Sequence, residues 1–324
     1  MSHTVTPAPP AGHPPSVAPG GAPAPGSPDR SGSAPPLRKR LRGAAAALRS
    51  PAVVALAPLT LVVGVFFVAP LAGMAIIAFT VEADDGGTAL GLDHFLGLDS
   101  HVRAVRNSVL VSVVGSLTAA LIGALTAFCI AQIRSKRLDS VVAVFSSVLA
   151  NDGGAPLAFS FIVTLGNTGL VYGMLGLDAI GFSLYSWQGL VVMYQYFLIP
   201  TMVMVTLPTF VGLRKEWMEA NTALGGSRTT FWRRVGIPIA MPALLGGWIL
   251  LFGAAFATYA SAAVLIGTGG FPLVPLSIAS LLGSSLGAGG QSAAMALGVS
   301  MVVIAVVVLF LFNRLQKRSA RWLQ

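Results

Sequence analysis

Charged residues are scarce in this chain: they make up 10% of its 324 residues, against about 25% in a typical soluble domain. Together with a hydrophobic share of 55%, this deficit indicates that lipid is the main solvent of the folded protein. The single cysteine, Cys129, excludes an intramolecular disulfide. The four histidines are scattered without metal-ligand spacing. We therefore expect no metal site.

Phosphate-binding loops of the G-x-x-x-x-G-K-[ST] type are also absent, because no lysine of this chain follows a glycine. If the protein depends on ATP, another chain must bind it. We therefore expect this chain to have no cofactor of its own.

Composition changes along the chain indicate four regions. Residues 1–37 are rich in Pro, Ala and Gly and are predicted to form a disordered cytoplasmic tail. Residues 38–51 are basic and are expected to lie along the membrane surface. Residues 52–313 are predicted to be the transmembrane domain, and residues 314–324 a basic cytoplasmic tail.

Long apolar runs within the transmembrane domain indicate its spans, since a helix needs about 20 apolar residues to cross a bilayer. The sequence predicts six: 52–80, 107–132, 140–164, 187–213, 238–267 and 292–313. Residues 166–186 are compatible with either a re-entrant helix or a surface helix. The predicted fold class is an all-α, multi-pass membrane protein.

The distribution of basic residues predicts the orientation of these spans. Eighteen of the 20 Lys and Arg fall at the two ends of the chain and in the loops after the second and fourth spans. Only Arg103 and Arg106 lie on the other side. By the positive-inside rule, both termini are cytoplasmic. The net charge of +9 is then explained by contact with anionic lipid, and no nucleic-acid partner is expected.

The loop after the fourth span, residues 214–237, is polar and basic, and the sequence "EANTALGGSRTTFWRRVGIPIAMP" begins within it. Helix-forming residues end at Gly225 and Gly226, which are predicted to terminate a helix. Ser227 is then a candidate N-cap for a second short helix. Pro238 is expected to open the next span, where its missing N–H costs little.

This loop resembles the EAA motif of ABC importer permeases, which reads E-A-A, three residues, Gly, nine residues and I-x-L-P. The matching residues are Glu219, Ala220, Gly225, Val235, Ile237 and Pro238. Asn221 replaces the second alanine. With its six spans, the chain is similar to the permeases of type I, binding-protein-dependent importers. It looks closest to the branch that transports polyamines, ferric iron, thiamine and phosphonates.

The resemblance implies a coupling helix that docks in a groove of a cytoplasmic ABC ATPase dimer, which binds the ATP. The implied coupling residues are Glu219, Ala220, Ala223, Leu224, Gly225 and Pro238. It also implies a second permease subunit, homologous or identical, and an extracytoplasmic solute-binding protein. The implied location is a bacterial plasma (inner) membrane.

Polar residues within the spans are candidates for the solute path. Asn151 and Asp152 fall near the middle of the predicted third span, where an ionised side chain normally faces a cavity or a partner. Gly153, Gly154 and Pro156 are expected to loosen the helix there. A structural role within the helix bundle is the alternative.

Further path candidates lie in the fourth and fifth spans. They are Tyr194, in the run Met193 to Tyr196, and the polar residues Thr258, Tyr259 and Ser261. Helix packing explains such residues equally well.

Two other classes of protein remain to be weighed against a permease. An ATP-independent secondary carrier or channel predicts ion-relay residues in several spans, and only Asp152 qualifies. An intramembrane enzyme requires a Ser/His or paired-Asp constellation, and no predicted span contains a histidine. Neither class explains the cytoplasmic motif.

Overall fold

The computed structural model describes residues 51–82, 87–96, 101–133, 135–267, 270–284 and 287–320. The predicted tail 1–37 lies outside the described residues, as do nearly all of the basic segment 38–51 and residues 321–324 of the C-terminal tail. Residues 1–62 and 63–324 form two separate units, and the helix bundle belongs to the second.

The described part of the chain is mostly helical. Its helices are α1 (Pro51–Val63), α2 (Ala69–Phe79), α3 (Asp93–Leu96), α4 (Val102–Ile133), α5 (Lys136–Asn151), α6 (Ala155–Leu165), α7 (Leu170–Met174), α8 (Trp187–Val211), α9 (Lys215–Ala223), α10 (Arg228–Phe231), α11 (Ile237–Ala257), α12 (Ala260–Ile266), α13 (Val274–Gly283) and α14 (Gly287–Ala320). Two π-helical turns, Gly64–Val68 and Trp232–Gly236, join α1 to α2 and α10 to α11.

A short β-hairpin adds to the predicted all-α class. Strands β1 (Thr80–Glu82) and β2 (Thr88–Leu90) pair antiparallel, with Thr80 opposite Leu90. The hairpin directly follows the first apolar helix. Segments of three residues are too short for sequence patterns to distinguish them from a loop.

Six helical segments in the described residues are long and apolar enough to cross a membrane, as predicted. They are Pro58–Phe79, Val102–Ile133, Ala155–Met174, Trp187–Val211, Arg228–Ala257 and Gly290–Arg314. The first, second, fourth and sixth agree with the predicted spans to within a few residues at most ends. The third and fifth differ.

The predicted third span, 140–164, is not one helix. Helix α5 ends at Asn151 and α6 begins at Ala155, and the apolar crossing segment continues to Met174. Gly154 adopts φ 86° and ψ −151°, a conformation essentially restricted to glycine. The chain therefore breaks at the Gly-Gly-Ala-Pro sequence, and residues 166–174 belong to the crossing segment.

The predicted fifth span, 238–267, begins earlier and ends earlier in the structure. Pro238 lies in the first turn of the α-helix Ile237–Ala257, as predicted, but the apolar segment begins earlier because the π-helical turn joins α10 to α11 without a break. Since Pro238 has no N–H, it leaves one backbone carbonyl without its usual donor. Within the turn the N–H of Ile237 bonds to the carbonyl of Trp232, five residues earlier.

The bundle core forms where α4 packs against α8 and α11. Small residues predominate on the buried face of α4, which lets the helix axes approach closely. Buried small residues of this face are Ala104, Ser108, Ser112, Gly115, Ser116, Ala119, Ala120, Gly123 and Ala127. Polar bonds cross the same interface: Trp248 Nε1 donates to Ser116 Oγ (3.0 Å), and Gln195 Nε2 donates to the carbonyl of Gly115 (3.2 Å).

Gly123 lies at a close contact between α4 and α8, and we predict that Gly123→Ala destabilises the bundle. A β-carbon at this position would lie 2.6 Å from Met202 Cβ and 2.9 Å from the carbonyl oxygen of Ile199. Because the latter is backbone, the helices must separate, and overpacking of this kind costs about 1–3 kcal/mol. A lower thermal unfolding midpoint of the detergent-solubilised protein is the expected result.

Gly246→Ala in α11 is the matched control, because no heavy atom lies within 4 Å of a β-carbon placed there. We expect its midpoint to stay equal or to rise, since alanine favours a helix interior by roughly 0.5–1 kcal/mol over glycine. Equal losses in both variants would contradict the assignment of Gly123 to a close helix contact.

Candidate functional site

The helix of the EAA-like loop, α9, ends in a Schellman motif. The N–H of Gly225 donates to the carbonyl of Thr222 (2.9 Å), and the N–H of Gly226 donates to the carbonyl of Asn221 (2.8 Å). Gly225 adopts φ 80°, the left-handed conformation that this motif requires and that glycine adopts without strain. The predicted helix stop at Gly225 and Gly226 is confirmed.

Asn221, the residue that departs from the E-A-A pattern, closes the turn between α9 and α10. Its Nδ2 donates to the carbonyls of Gly226 (3.0 Å) and Ser227 (3.1 Å). Ser227 then caps α10, since its Oγ accepts from the N–H of Thr230 (3.2 Å), as predicted. An alanine at position 221 can make neither of the two amide bonds.

The tip of the loop presents apolar surface to the outside of the bundle. Leu224 is 89% exposed, and Ala220 and Ala223 are exposed beside it. Glu219 is also exposed and forms an i,i+4 ion pair with Lys215 (Oε1 to Nζ, 3.0 Å). In the described chain this ridge contacts nothing that would bury it.

Aromatic side chains attach the loop to the ends of two spans. Phe128, near the end of α4, lies edge-on to Trp232 (ring centroids 4.9 Å apart) and to Phe210 near the end of α8 (5.9 Å). Phe231, which precedes Trp232, is 1% exposed. Edge-to-face pairs of this type contribute about 0.5–1.5 kcal/mol beyond their buried area. The loop is therefore held against the bundle at its α10 side, while its α9 side protrudes.

Replacing Asn221 should loosen the turn, and we predict faster hydrogen exchange of residues 224–231 in Asn221→Ala and Asn221→Asp. Both substitutions remove the amide donor, and the aspartate also places a negative charge against two carbonyls. Each of the two bonds contributes about 1 kcal/mol, so exchange in this segment should accelerate by roughly thirtyfold. Mass spectrometry of deuterated peptides measures the rate.

Thr222→Ala is the matched control, because the Thr222 hydroxyl bonds only within α9, to the carbonyl of Met218 (2.9 Å). Its exchange rate in residues 224–231 should change little. Wild-type rates in both Asn221 variants would show that the amide bonds do not hold the turn.

The second candidate site lies at the break between α5 and α6. Tyr196 donates a hydrogen bond from its hydroxyl to Asp152 Oδ2 (3.0 Å). Tyr196 is the tenth of the 25 residues of α8, so this carboxylate lies near the middle of that crossing helix. The apolar segments are assigned by length and composition, and the third begins at Ala155, after Asp152, so the mid-bilayer depth of Asp152 stays a prediction.

A second break lies beside the first. Helix α11 ends at Ala257, and α12 begins at Ala260 and packs against α6. A β-carbon placed on Gly154 would lie 3.8 Å from Ala260 Cβ, which is ordinary van der Waals contact. The two interruptions, residues 152–154 and residues 258–259, therefore adjoin each other.

Asp152 is exposed on the surface of the isolated chain, as are Asn151, Gly153 and Tyr259, the last at 46%. A carboxylate at mid-membrane depth costs about 2.5–3.5 kcal/mol against lipid on insertion scales. Irregular backbone at that depth is tolerated only against protein or a water-filled cavity. At the predicted depth, this face of the bundle is therefore unsuited to lipid contact.

The structure separates the other path candidates from Asp152. Tyr194 is 1% exposed and Ser261 is 1% exposed, both within the bundle core. Successive helical residues are rotated by about 100°, so Tyr194 and Tyr196 lie on opposite sides of α8. Sequence reasoning did not distinguish them, and it is Tyr196 that contacts Asp152.

Thr258 is partly exposed, and its hydroxyl donates to the carbonyl of Ala254 (2.6 Å). With Tyr194, Ser108 and Ser112 it lines a cavity of about 10 Å³, which is close to the smallest space that holds one water. The structure thus brings Tyr194 and Thr258 together around this cavity, whereas Tyr259, the other residue of the same break, is exposed as Asp152 is. The described residues contain no group of three or more His, Cys, Asp or Glu arranged to hold a metal ion.

Comparison with known proteins gives a family match over most of the chain. Residues 101–323 match the family described as binding-protein-dependent transport system inner membrane component. The matched range contains both candidate sites.

Individual relatives are more distant. The spermidine/putrescine transport system permease protein PotC of Haemophilus influenzae is 22% identical over 221 residues, covering 68% of this chain and 79% of that protein. PotC of Escherichia coli is 27% identical over 154 residues, covering 48% and 53%. The sulfate transport system permease protein CysT of Salmonella typhimurium is 27% identical over 137 residues, covering 42% and 49%. The last two matches thus span about half of each relative.

Solved structures share the fold. A bacterial ABC transporter involved in the import of the acidic polysaccharide alginate contains a chain that superposes with a TM-score of 0.66 at 19% identity, covering 86% of this chain and 99% of that one. The alginate transporter in complex with its pentasaccharide-bound periplasmic protein gives 0.61 at 18% identity, covering 87% and 97%.

Proposed function

This chain belongs to the family of binding-protein-dependent transport system inner membrane components, and we propose that it moves its solute by ATP-driven alternating access. It is a multi-pass membrane protein with the type I ABC importer permease fold. Its family role is transport and not catalysis. The proposal concerns the source of energy, the partners and the solute.

The energy for transport comes from a separate ATPase dimer that binds the α9 tip, which is the exposed end of α9 with Ala220, Ala223 and Leu224. The observation that supports this is the exposure of Leu224, together with Ala220 and Ala223, on a helix ended by a left-handed glycine. Gly225 has no side chain, so a partner surface can approach the helix end closely. ATP binds to the ATPase, and this chain holds no cofactor. Glu219 and Pro238 complete the coupling segment, which faces the cytoplasm together with both termini.

Leu224→Asp and Gly225→Asp should each prevent stable association with the ATPase. Burial of a leucine side chain contributes about 2 kcal/mol, and an aspartate in the same groove must be desolvated as well. Loss of that contribution corresponds to at least roughly tenfold weaker binding. The measurement is the amount of cognate ATPase that co-purifies with the full-length chain from membranes.

Leu90→Asp is the matched control, because Leu90 is similarly exposed, at 87%, but lies in the β-hairpin. The hairpin and the α9 loop are separated by three spans along the chain and so face opposite sides of the membrane. This variant should retain the ATPase. Normal co-purification in both tip variants, or transport without any ATPase, would refute ATP-driven coupling and favour a secondary carrier or channel.

The pathway requires a second permease subunit, homologous or identical, facing the Asp152 surface. An exposed carboxylate and two adjoining helix breaks at mid-span depth are unfavourable in lipid. A second subunit related by two-fold symmetry would cover this surface and leave a water-filled path between the two subunits. The carboxylate and the helix breaks would then face water and protein instead of lipid. A solute-binding protein on the outer side delivers the solute, by analogy with the alginate transporter solved with its periplasmic protein.

The solute is a small polar cation. The relatives transport solutes of both signs: spermidine and putrescine for PotC and sulfate for CysT. They do not identify the charge. Asp152, held by Tyr196 and unpaired with any cation in the described chain, favours a polyamine, ferric iron or thiamine over a phosphonate.

Asp152→Asn should reduce uptake of the cation while leaving assembly intact. The asparagine keeps the side-chain size and can still accept from the Tyr196 hydroxyl, so only the charge is lost. Removing one member of a desolvated charge pair weakens binding by tenfold or more. Uptake of labelled spermidine, thiamine and ferric iron, with a phosphonate as the anionic comparison, is measured in cells that express the complete transporter.

Tyr196→Phe tests the hydrogen bond separately from the charge, because it removes the Tyr196 hydroxyl but keeps the Asp152 carboxylate. We expect a smaller loss of cation uptake, of roughly threefold, consistent with one hydrogen bond of about 0.5–1.5 kcal/mol. Unchanged uptake of every cation in Asp152→Asn would exclude a role for this charge.

A further inference from the structure

A basic cleft lies at the foot of the coupling loop (residues 214–237), between the exposed tip of that loop and the ends of α4 and α8. It has a volume of about 220 Å³. Its walls are apolar and aromatic, formed by Phe128, Phe210, Phe231, Trp232 and Met218. Arg214, Lys215 and Arg228 line it as well.

The charge in this cleft is of one sign. No carboxylate lines it among the described residues. Arg228 takes part in no ion pair in the described chain, and Arg214 and Lys215 pair only with Glu216 (3.9 Å) and Glu219 (3.0 Å). Those pairs are mostly exposed to solvent and are therefore weak, so an anion can compete for both cations.

The cleft lies where two crossing helices end, and on that ground we infer that it is at the membrane surface. Phe128 and Gln132 belong to the last turns of α4, and Phe210 is the penultimate residue of α8. The cations follow directly where these crossing helices end. Phosphate groups of lipids lie at this level, and basic pockets between transmembrane helices bind the headgroups of anionic lipids.

Both the size and the walls of the cleft fit a phosphate with an apolar attachment. Pockets for small organic ligands are typically about 300–1,000 Å³, and this cleft is smaller. It admits a phosphodiester and part of a headgroup, while Phe128 and Trp232 offer an apolar surface to the adjoining glycerol and acyl chain.

We propose that this cleft binds the phosphate of an anionic phospholipid, which holds the coupling loop against the membrane surface. The site depends on the chain being a membrane protein and not on the ATPase partner. Failure of ATPase coupling therefore leaves it untouched, and the reverse also holds.

Native mass spectrometry of the delipidated full-length chain in detergent tests the site, with phosphatidylglycerol and phosphatidylcholine of equal acyl chains as probes. We expect the wild type to bind one phosphatidylglycerol in preference to phosphatidylcholine. In Arg214→Gln/Arg228→Gln the affinity for phosphatidylglycerol should fall by on the order of tenfold. If that double variant does not fold, Arg228→Gln alone replaces it.

The matched control is Arg233→Gln/Arg234→Gln, which removes the same charge from exposed arginines that line a different surface of the same loop, with Ser227, Thr229 and Thr230. This variant should keep the wild-type affinity. Equal losses in both double variants, or no lipid preference in the wild type, would overturn the proposal. Displacement of the bound phosphatidylglycerol by millimolar inorganic phosphate would assign the cleft to a free anion and overturn the lipid assignment.

Discussion

Satisfaction of backbone hydrogen bonds within the membrane is the constraint on which the arrangement of this bundle depends. Hydrocarbon offers no donors or acceptors, so a crossing helix can be interrupted only against protein or enclosed water. This chain interrupts two helices, at residues 152–154 and 258–259, and places the interruptions side by side. Breaks at separate positions would each need their own cover. Adjoining breaks share one face, and Asp152 lies on it.

The coupling loop also satisfies its backbone hydrogen bonds. Most of its residues lie outside the apolar segments, and the loop forms these bonds within its own turns. Every turn of its chain is closed internally: the Schellman motif ends α9, Asn221 bonds across the turn and Ser227 caps α10. No flexible linker remains between the exposed tip at Leu224 and the crossing helix that begins at Arg228. Asn221, which departs from the family pattern, adds rigidity that alanine does not supply.

Features that depend on neighbouring residues could be predicted from the sequence, and features that depend on distant contacts could not. Apolar length predicted the number of spans and the approximate bounds of four of them, and the glycine pair and Ser227 predicted the helix end and the cap. The contact between Asp152 and Tyr196 joins residues 44 positions apart, and choosing Tyr196 over Tyr194 requires knowing which side of α8 faces the core. The break at Gly154 was indicated by glycine and proline. Continuity through Pro238 was not, because a π-helical turn depends on the whole backbone path.

Helix geometry connects the two candidate sites in the proposed mechanism. One crossing helix, Arg228–Ala257, begins at the coupling loop and ends at the second break. Its 30 residues extend about 45 Å at 1.5 Å per residue. Trp232 contacts Phe128 of α4, and the adjacent Phe231 is buried, so a partner that pulls the α9 tip also moves the first turn of this helix. The far end of the helix meets the segment that packs beside Gly154.

Hinge motion concentrates at a few residues that can change their backbone angles, and residues 258–259 are the first non-helical positions that such a motion reaches. Because α11 also packs against α4 and α8, a movement at the loop reaches the Asp152 surface by shifting α11 against both helices.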